Sequence, residues 1–525
     1  MSPVRIAVVG AGPSGLVTAA VLAELGHEVQ VFEQAPDVGG VWSTTRAYPG
    51  VRTQDDRVTY AFSDVPMPAD FPEHPTGSHV RSYLEHYARV KGLTQRIRLS
   101  TAVRSAEPTP SGDGWVLHVA GPAGPATHRA DWLVMANGVF STPHVPGWPG
   151  RAEFEAHGGR VVVPGALGDG AALAGQRVVV VGWGKTACDV ATWSSGRARS
   201  TTVVARTLLW KLPERIGGGL TFRHVLLTRL GEHLMSPSRA TAAARLGALA
   251  SLPARRTARW LLRRQISRRH GLRALGLVPS RPLPHCDSLV TEGFFDAVAA
   301  GRLAVLSELS VQGLGAVDGV PGVRLSDGRW LPADVVVAAT GFEQDLSPLA
   351  SAVQAALRDD DGVLRLQRRI LPLDVPRLAF AGWGHTYRSP VTAEIGAVWL
   401  AAHLAGRLRE RSPAEVRRTA DRYHLTRRQA AAHGEAPLPS GSFAALDALL
   451  DDLGMPLPAA QRLRQWVVPF APAGYAGLLP ALRRRLGQPA SSRPAAPAPV
   501  REGSSQHAPS LASSTGSKGS SPPPG

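Results

Sequence analysis

Two short stretches hold residue types and spacings able to do chemistry. They are Gly10-Ala11-Gly12-Pro13-Ser14-Gly15 and Gly182-Trp183-Gly184-Lys185-Thr186-Ala187. In each, the first glycine permits a tight turn, the second lets backbone approach a pyrophosphate, and the third small residue lets a helix pack closely on a strand. The helix that follows presents unpaired N–H groups and about half a positive charge to the phosphates. The residue closing the next strand differs between the copies. In the first it is Glu33, placed to accept hydrogen bonds from ribose hydroxyls. In the second it is Arg206, which pairs with a 2′-phosphate that an acid would repel. The second copy is therefore expected to take NADPH rather than NADH.

Positioning these turns requires buried parallel strands and covering helices. Val4–Val9 is a short apolar run, mostly β-branched, as a strand covered on both faces would be. Leu16 to Leu25 has helical apolar spacing and stops at Gly26, and Val29–Phe32 is the next strand. The second copy repeats the plan with Arg177–Val181 and Thr201–Ala205. Between the copies, Gly39-Gly40-Val41-Trp42 lets backbone pass close to a large flat ligand. Tyr48–Gln54 and Phe62–Pro68 form polar, proline-punctuated loops of the kind that carry sites. Val80–Val90 reads as an amphipathic helix with Tyr83, Leu84, Tyr87 and Ala88 on one face. Ile97–Val103, Trp115–Val119 and Trp132–Ala136 read as strands. Further on, Val335–Ala339 is a buried strand ending at Thr340-Gly341, and Val391–Leu404 a helix.

The fold class is α/β: two Rossmann-like dinucleotide-binding domains, the second inserted into the first, with a helical insertion and a disordered C-terminal tail. The expected boundaries are 1–155 and 331–450 for the two parts of the first domain and 156–330 for the second. A basic insertion occupies about 207–285, a helical extension 451–487 and the tail 488–525.

Composition bounds the alternatives. The net charge of +17 raises nucleic acid or anionic membrane as partners. No nucleic-acid module is present, and no aromatic ladder lies among the basic residues, so nucleic acid is not expected. Arginines at 255, 256, 259, 263, 264, 268, 269 and 273, interleaved with Trp260, Leu261, Leu262, Ile266 and Leu272, form a basic amphipathic helix. We read it as a solvated face over an apolar stripe, with peripheral contact to an anionic membrane as the alternative. No run approaches the ~18 apolar residues of a membrane span, and the first strand starts too early to leave room for a signal peptide. Two cysteines, Cys188 and Cys286, with no CxxC, suit a reducing cytoplasmic setting. Cys188 is read as packing.

From about Val4 to Leu404 the chain resembles the flavin-containing monooxygenases, single-component FAD and NADPH enzymes that oxygenate nitrogen or sulfur. The resemblance rests on Gly10–Gly15, Glu33, Gly39–Trp42, Phe62-Ser63-Asp64, Gly182–Ala187, Ala339-Thr340-Gly341-Phe342 and Pro390-Val391-Thr392-Ala393-Glu394. It implies FAD contacts from Gly10, Gly12, Pro13, Ser14, Gly15, Glu33, Gln34, Gly40, Val41, Trp42, Thr53, Gln54 and Val103. It implies NADPH contacts from Gly182, Gly184, Lys185, Thr186 and Arg206, with Thr340 and Gly341 returning to the cofactors. Three positions depart from the family pattern. Val163 stands where a histidine is expected, His157 being out of register. Gln54 replaces the usual asparagine, and Lys185-Thr186 replaces Asn/Ser-Ser/Ala, giving a lysine able to add a phosphate contact.

The resemblance implies that NADPH reduces the flavin, which then reacts with O2 to give a C4a-hydroperoxide that oxygenates a soft nucleophile. Gln54 is the catalytic candidate, hydrogen-bonding near the flavin or the nicotinamide amide. No metal is expected. Trp42, Tyr60, Trp383, His385 and Tyr387 are candidates for the pocket wall. Two alternatives stay open: Baeyer–Villiger oxygenation of a ketone, with Arg52 or Arg388 as the necessary cation, and an NADPH-dependent flavin reductase or oxidase that transfers no oxygen to a substrate.

Overall fold

A computed structural model describes residues 2–217, 220–235, 242–283, 286–359, 362, 364–384, 389–420 and 442–488. His385, Tyr387, Arg388 and all but the first residue of the expected tail lie outside these residues.

The chain starts with strand β1 (Arg5–Val9), helix α1 (Pro13–Glu24) and strand β2 (Glu28–Phe32). Helix α2 (Gly77–Val90) follows, capped by the Thr76 side chain, which accepts from His79 N. It buries Val80, Tyr83, Leu84, Tyr87 and Ala88, the face that the apolar spacing marks. The single strand expected over Ile97–Val103 is broken. β3 (Ile97–Arg98) ends at Ser100, whose φ of 50° turns the chain away. β4 (Ala102–Pro108), β5 (Trp115–Gly121) and β6 (Gly124–Ala130) then form a separate antiparallel sheet. β7 (Trp132–Met135) returns to the first sheet beside β1.

The second unit comprises β8 (Arg160–Val162), β9 (Arg177–Val181), helix α3 (Lys185–Ser194) and β10 (Ser200–Ala205). The basic insertion opens with β11 (Trp210–Leu212) and carries helices α4 (Arg229–Met235), α5 (Ala242–Ala250) and α6 (Leu252–Arg269). It closes with β12 (Cys286–Leu289), which pairs with β11. Its long helix runs three residues earlier and ends sooner than the arginine pattern indicates, and Arg255 is buried on its inner side. β13 (Ala304–Ser307) and β14 (Val335–Ala338) complete a parallel sheet of order β13-β10-β9-β14-β8. A boundary at 330 assigns Val335–Ala338 to the wrong unit: the strand hydrogen-bonds to β9 and closes the second sheet.

β15 (Leu378–Phe380) pairs in parallel with β7, so the first sheet, β15-β7-β1-β2-β3, is completed only after the second unit has been traversed. Helix α7 (Ser389–Leu404) then covers α1, which is why Gly15 through Leu22 are buried with no solvent face. The C-terminal helices start with α8 (Phe443–Asp452), earlier than the expected extension. Asp452, 2% exposed, fastens it by accepting from Arg368 Nε (2.7 Å), Arg411 Nε (2.8 Å) and Trp399 Nε1 (3.2 Å).

Candidate functional site

Both glycine turns open into one cavity of about 1890 Å³. Sites for one small ligand span roughly 300–1,000 Å³, so this cavity has room for two dinucleotides. Gly10, Gly12, Pro13, Ser14, Glu33, Gln34, Gly40, Val41, Trp42, Thr53, Gln54 and Val103 line it from the first unit. Gly182, Gly184, Lys185, Thr186, Arg206, Thr340 and Gly341 line it from the other side. Gly15 is absent from the wall. A Cβ there would collide with the Gly10 carbonyl oxygen, so Gly15 serves the contact of α1 with the turn.

The wall has the properties that bound dinucleotides require. α1 and α3 start from Gly12 and Gly184 with no side-chain cap, leaving their first N–H groups for an anion. Gly12 lies against Gly40, whose φ of +61° brings the second glycine loop in; a Cβ on Gly40 would sit 3.0 Å from Gly12 Cα. Thr18 Oγ1, Asn137 Oδ1, Trp383 Nε1 and Thr392 Oγ1 of the wall are buried with no hydrogen-bond partner among the described residues. Buried polar groups are ordinarily hydrogen-bonded, so these atoms suit a polar ligand. The residues fit FAD and NADPH.

Glu33 is 7% exposed, and its two oxygens accept the N–H groups of Ala11 (2.7 Å) and Ala35 (2.8 Å). The carboxylate therefore ties the first turn to β2, with lone pairs remaining for a ribose. Burial raises its pKa, and the backbone hydrogen bonds only partly offset this. Arg206 is exposed at the cavity mouth, directly after β10. Arg46, which spacing did not single out, lines the wall near Glu33 and donates to the carbonyls of Phe140 and Ser141. Burial lowers its pKa.

Lys185 is turned inward. Its ammonium pairs with Asp189 one helical turn on and donates to Thr291 Oγ1 at 3.1 Å. Asp189 is 3% exposed and also accepts from Tyr48 Oη (3.0 Å) and Thr291 Oγ1 (2.5 Å). The lysine charge is thus balanced by Asp189 within the protein, while the residue still lines the cavity. The network joins the first unit (Tyr48), helix α3 and the end of the insertion (Thr291). Burial, reinforced by the Asp189 charge, pushes the Tyr48 phenol well up.

Gln54 Oε1 accepts the backbone N–H of Leu289 at 3.0 Å. Only the carbonyl oxygen of the side chain can accept that proton, so the contact fixes the amide's orientation and leaves its NH2 as donor. Trp42, 8% exposed, donates its indole N–H to Tyr60 Oη at 2.8 Å, the rings meeting edge to face. Trp383 is 1% exposed and packs on Phe380. Val163 faces the cavity, whereas His157 is exposed and bonded to the Glu153 carbonyl. Cys188 is buried in the core with its thiol toward the Trp183 carbonyl. Among the described residues, Glu73, His74 and Glu214 bring potential metal-ligand atoms within 4.8 Å of one another, but none of the three lines the cavity.

Residues 3–418 match the family described as flavin-binding monooxygenase-like. The chain belongs to this family. As a member it is an FAD- and NADPH-dependent monooxygenase. It is 26% identical over 396 residues to dimethylaniline monooxygenase (N-oxide-forming) 2 of Rattus norvegicus, covering 72% of this chain and 69% of the relative. Solved structures share the fold. One is the S-allyl-L-cysteine S-oxygenase of Allium sativum, with a TM-score of 0.58 and 18% identity over 94% of this chain and 95% of that one. Another is cyclohexanone monooxygenase from Rhodococcus sp. Phi1 bound to NADP+, with a TM-score of 0.61 and 19% identity over 92% of this chain and 98% of that one. The second unit inserted into the first is the arrangement expected for two dinucleotide sites meeting across one cavity.

Proposed function

We propose that this monooxygenase oxygenates the nitrogen or sulfur of a small molecule, with FAD seated on the Gly10–Gly15 turn and NADPH on the Gly182–Ala187 turn. The observation that carries the reading is that both turns, Glu33, Arg206 and Gln54 share one cavity wall. The N-oxide-forming relative and the S-oxygenase neighbour support this substrate chemistry.

Bound FAD would supply the redox chemistry, taking reducing equivalents from NADPH and activating O2. The chain supplies position and shielding. The uncapped ends of α1 and α3 hold the two pyrophosphates, and Arg206 at the mouth pairs with the 2′-phosphate. Gln54, oriented by Leu289, presents its amide NH2 to the reacting face. Trp42, Tyr60 and Trp383 exclude water from it. A soft nucleophile needs no general base, so the task asks of the wall position and shielding. Two cysteines in 525 residues support a reducing cytoplasmic location.

Arg52 in the cavity wall favours a second reading, Baeyer–Villiger oxygenation, which needs a cation near the reacting oxygen. Incubation with NADPH and a tertiary amine, a thioether or a cyclic ketone, followed by product analysis, tests both. An N-oxide or sulfoxide is expected. A lactone as sole product selects the second reading, and NADPH consumption with no oxygenated product from any of the three rejects both.

A further inference from the structure

The insertion departs from an ordinary solvated surface. From His233 to Cys286 the sequence contains eleven arginines and no aspartate or glutamate. Of the seventeen exposed large apolar side chains among the described residues, nine lie in 230–261 and 463–468. Leu246 and Leu249 on α5 are 69% and 68% exposed, Trp260 and Leu261 on α6 are 56% and 54%, and Leu463 near the C-terminus is 73%. Scattered exposed apolar residues are normal, but a cluster marks an interaction surface.

The segments that carry them pack together. Arg229 N and Leu230 N on α4 donate to the carbonyls of Gln465 (2.8 Å) and Trp466 (3.3 Å). His233 packs on Trp466 with ring centroids 6.2 Å apart and bonds Ser251 Oγ, just before α6, at 2.8 Å. α6 buries Arg255, Leu262 and Ile266 and turns Trp260 outward. Arg256 and Arg264, at positions i−4 and i+4 from Trp260, are exposed, as is Arg263 at i+3, whose guanidinium lies over the Trp210 ring at 5.1 Å. Arg264 lies over the Trp260 ring at 5.4 Å.

We propose that this face docks on an anionic membrane surface, with Trp260 and Leu261 entering the headgroup region and the flanking arginines pairing with lipid phosphates. Charge complementarity commits the face to a partner of dense negative charge, and the number of exposed apolar side chains beside the arginines favours a lipid surface, whose interfacial layer receives tryptophan and leucine, over a nucleic-acid duplex, whose bases are stacked inside. No helix among the described residues is long and apolar enough to cross a membrane; the contact proposed is peripheral. The solvated-face reading accounts for the arginines but leaves this apolar cluster without a partner.

Cosedimentation of the FAD-loaded full-length protein with vesicles tests the proposal. Binding is expected to vesicles of phosphatidylcholine with phosphatidylglycerol, not to phosphatidylcholine alone, and to weaken as salt is raised. Arg256→Glu with Arg264→Glu lowers partitioning by roughly tenfold or more. Trp260→Ser with Leu261→Ser lowers the binding that persists at high salt. FAD content, Tm and NADPH oxidation in solution stay at wild-type values in both variants, showing that they are folded. Three results overturn the proposal: no preference for the anionic vesicles; tighter binding to a DNA duplex that the Trp260/Leu261 variant leaves unchanged; or a dimer in sedimentation that either variant dissociates.

Discussion

The side-chain oxygen of Gln54 accepts the N–H of Leu289 at 3.0 Å, joining the loop beside the first glycine turn to the strand that closes the insertion. That strand leads within two residues to Thr291, which bonds Lys185 and Asp189 of the second turn's helix. This bond, the short backbone run to Thr291 and the Thr291–Lys185 bond therefore link the Gln54 loop to the helix of the second turn, with Gln54 and Lys185 both in the cavity wall.

Gln54→Leu removes both the tether and the donor. More hydrogen peroxide per NADPH consumed is expected, by several-fold, with FAD content unchanged. Gln54→Asn, which keeps the amide, should restore part of the efficiency. Unchanged peroxide yield in the leucine variant would remove Gln54 from the chemistry.

Arg206→Ala discriminates between nicotinamides. Loss of a charge-assisted hydrogen bond costs about 1.5–3 kcal/mol, so the KM for NADPH should rise roughly 10- to 100-fold while that for NADH changes little. Parallel rises would put the 2′-phosphate elsewhere.

Gly12 and Gly15 separate ligand contact from packing. A Cβ on Gly12 meets nothing closer than Gly40 Cα at 3.4 Å, and Gly12 φ is −73°, so alanine fits the protein itself. Gly12→Ala should fold with a wild-type apoprotein Tm and retain little FAD. Gly15→Ala, whose Cβ would strike the Gly10 carbonyl, should fail to fold or lose several degrees of Tm even without cofactor. Equal FAD retention in Gly12→Ala and wild type would show that the pyrophosphate does not approach this turn.

Glu394 carries a pH signature. It accepts from Ser63 N at 2.9 Å and from Ser63 Oγ, joining α7 to the Phe62-Ser63-Asp64 loop, with Lys91 and Asp64 nearby. Burial pushes its pKa up to about 7, against the Ser63 hydrogen bonds. A carboxyl whose folded pKa is raised binds its proton more tightly folded than unfolded. Its contribution is full below the ordinary glutamate range and is lost as pH rises through about 7. Denaturation followed from pH 5 to pH 8 should therefore show wild type losing stability relative to Glu394→Gln. Parallel curves would mean that Glu394 is ionised throughout.

The glycine turns were legible because their function lies in local spacing: the turn, the helix start and the residue after the next strand are all set within about 30 residues. Tyr48, Asp189 and Thr291 meet only in three dimensions, from parts of the chain more than a hundred residues apart. The inward turn of Lys185 did leave a local signal, since Asp189 stands at i+4 on the same helix. Val335–Ala338 is misplaced by sequence because an all-apolar strand reads identically in either parallel sheet. Ser100 gave no warning of its positive φ, so two strands read as one. The outward turn of Trp260 depended on which side of α6 packs against the insertion, and an arginine-rich helix does not declare that in its spacing.

The central claim is that one chain brings a flavin and a phosphorylated nicotinamide together across a shared cavity. Anaerobic mixing of the FAD-loaded enzyme with NADPH or NADH, followed by flavin absorbance, tests it directly. The account predicts rapid bleaching by NADPH, much slower bleaching by NADH at the same concentration, and loss of that preference in Arg206→Ala. A protein that purifies without flavin and takes up none, or a bound flavin that NADPH leaves oxidised, would contradict it.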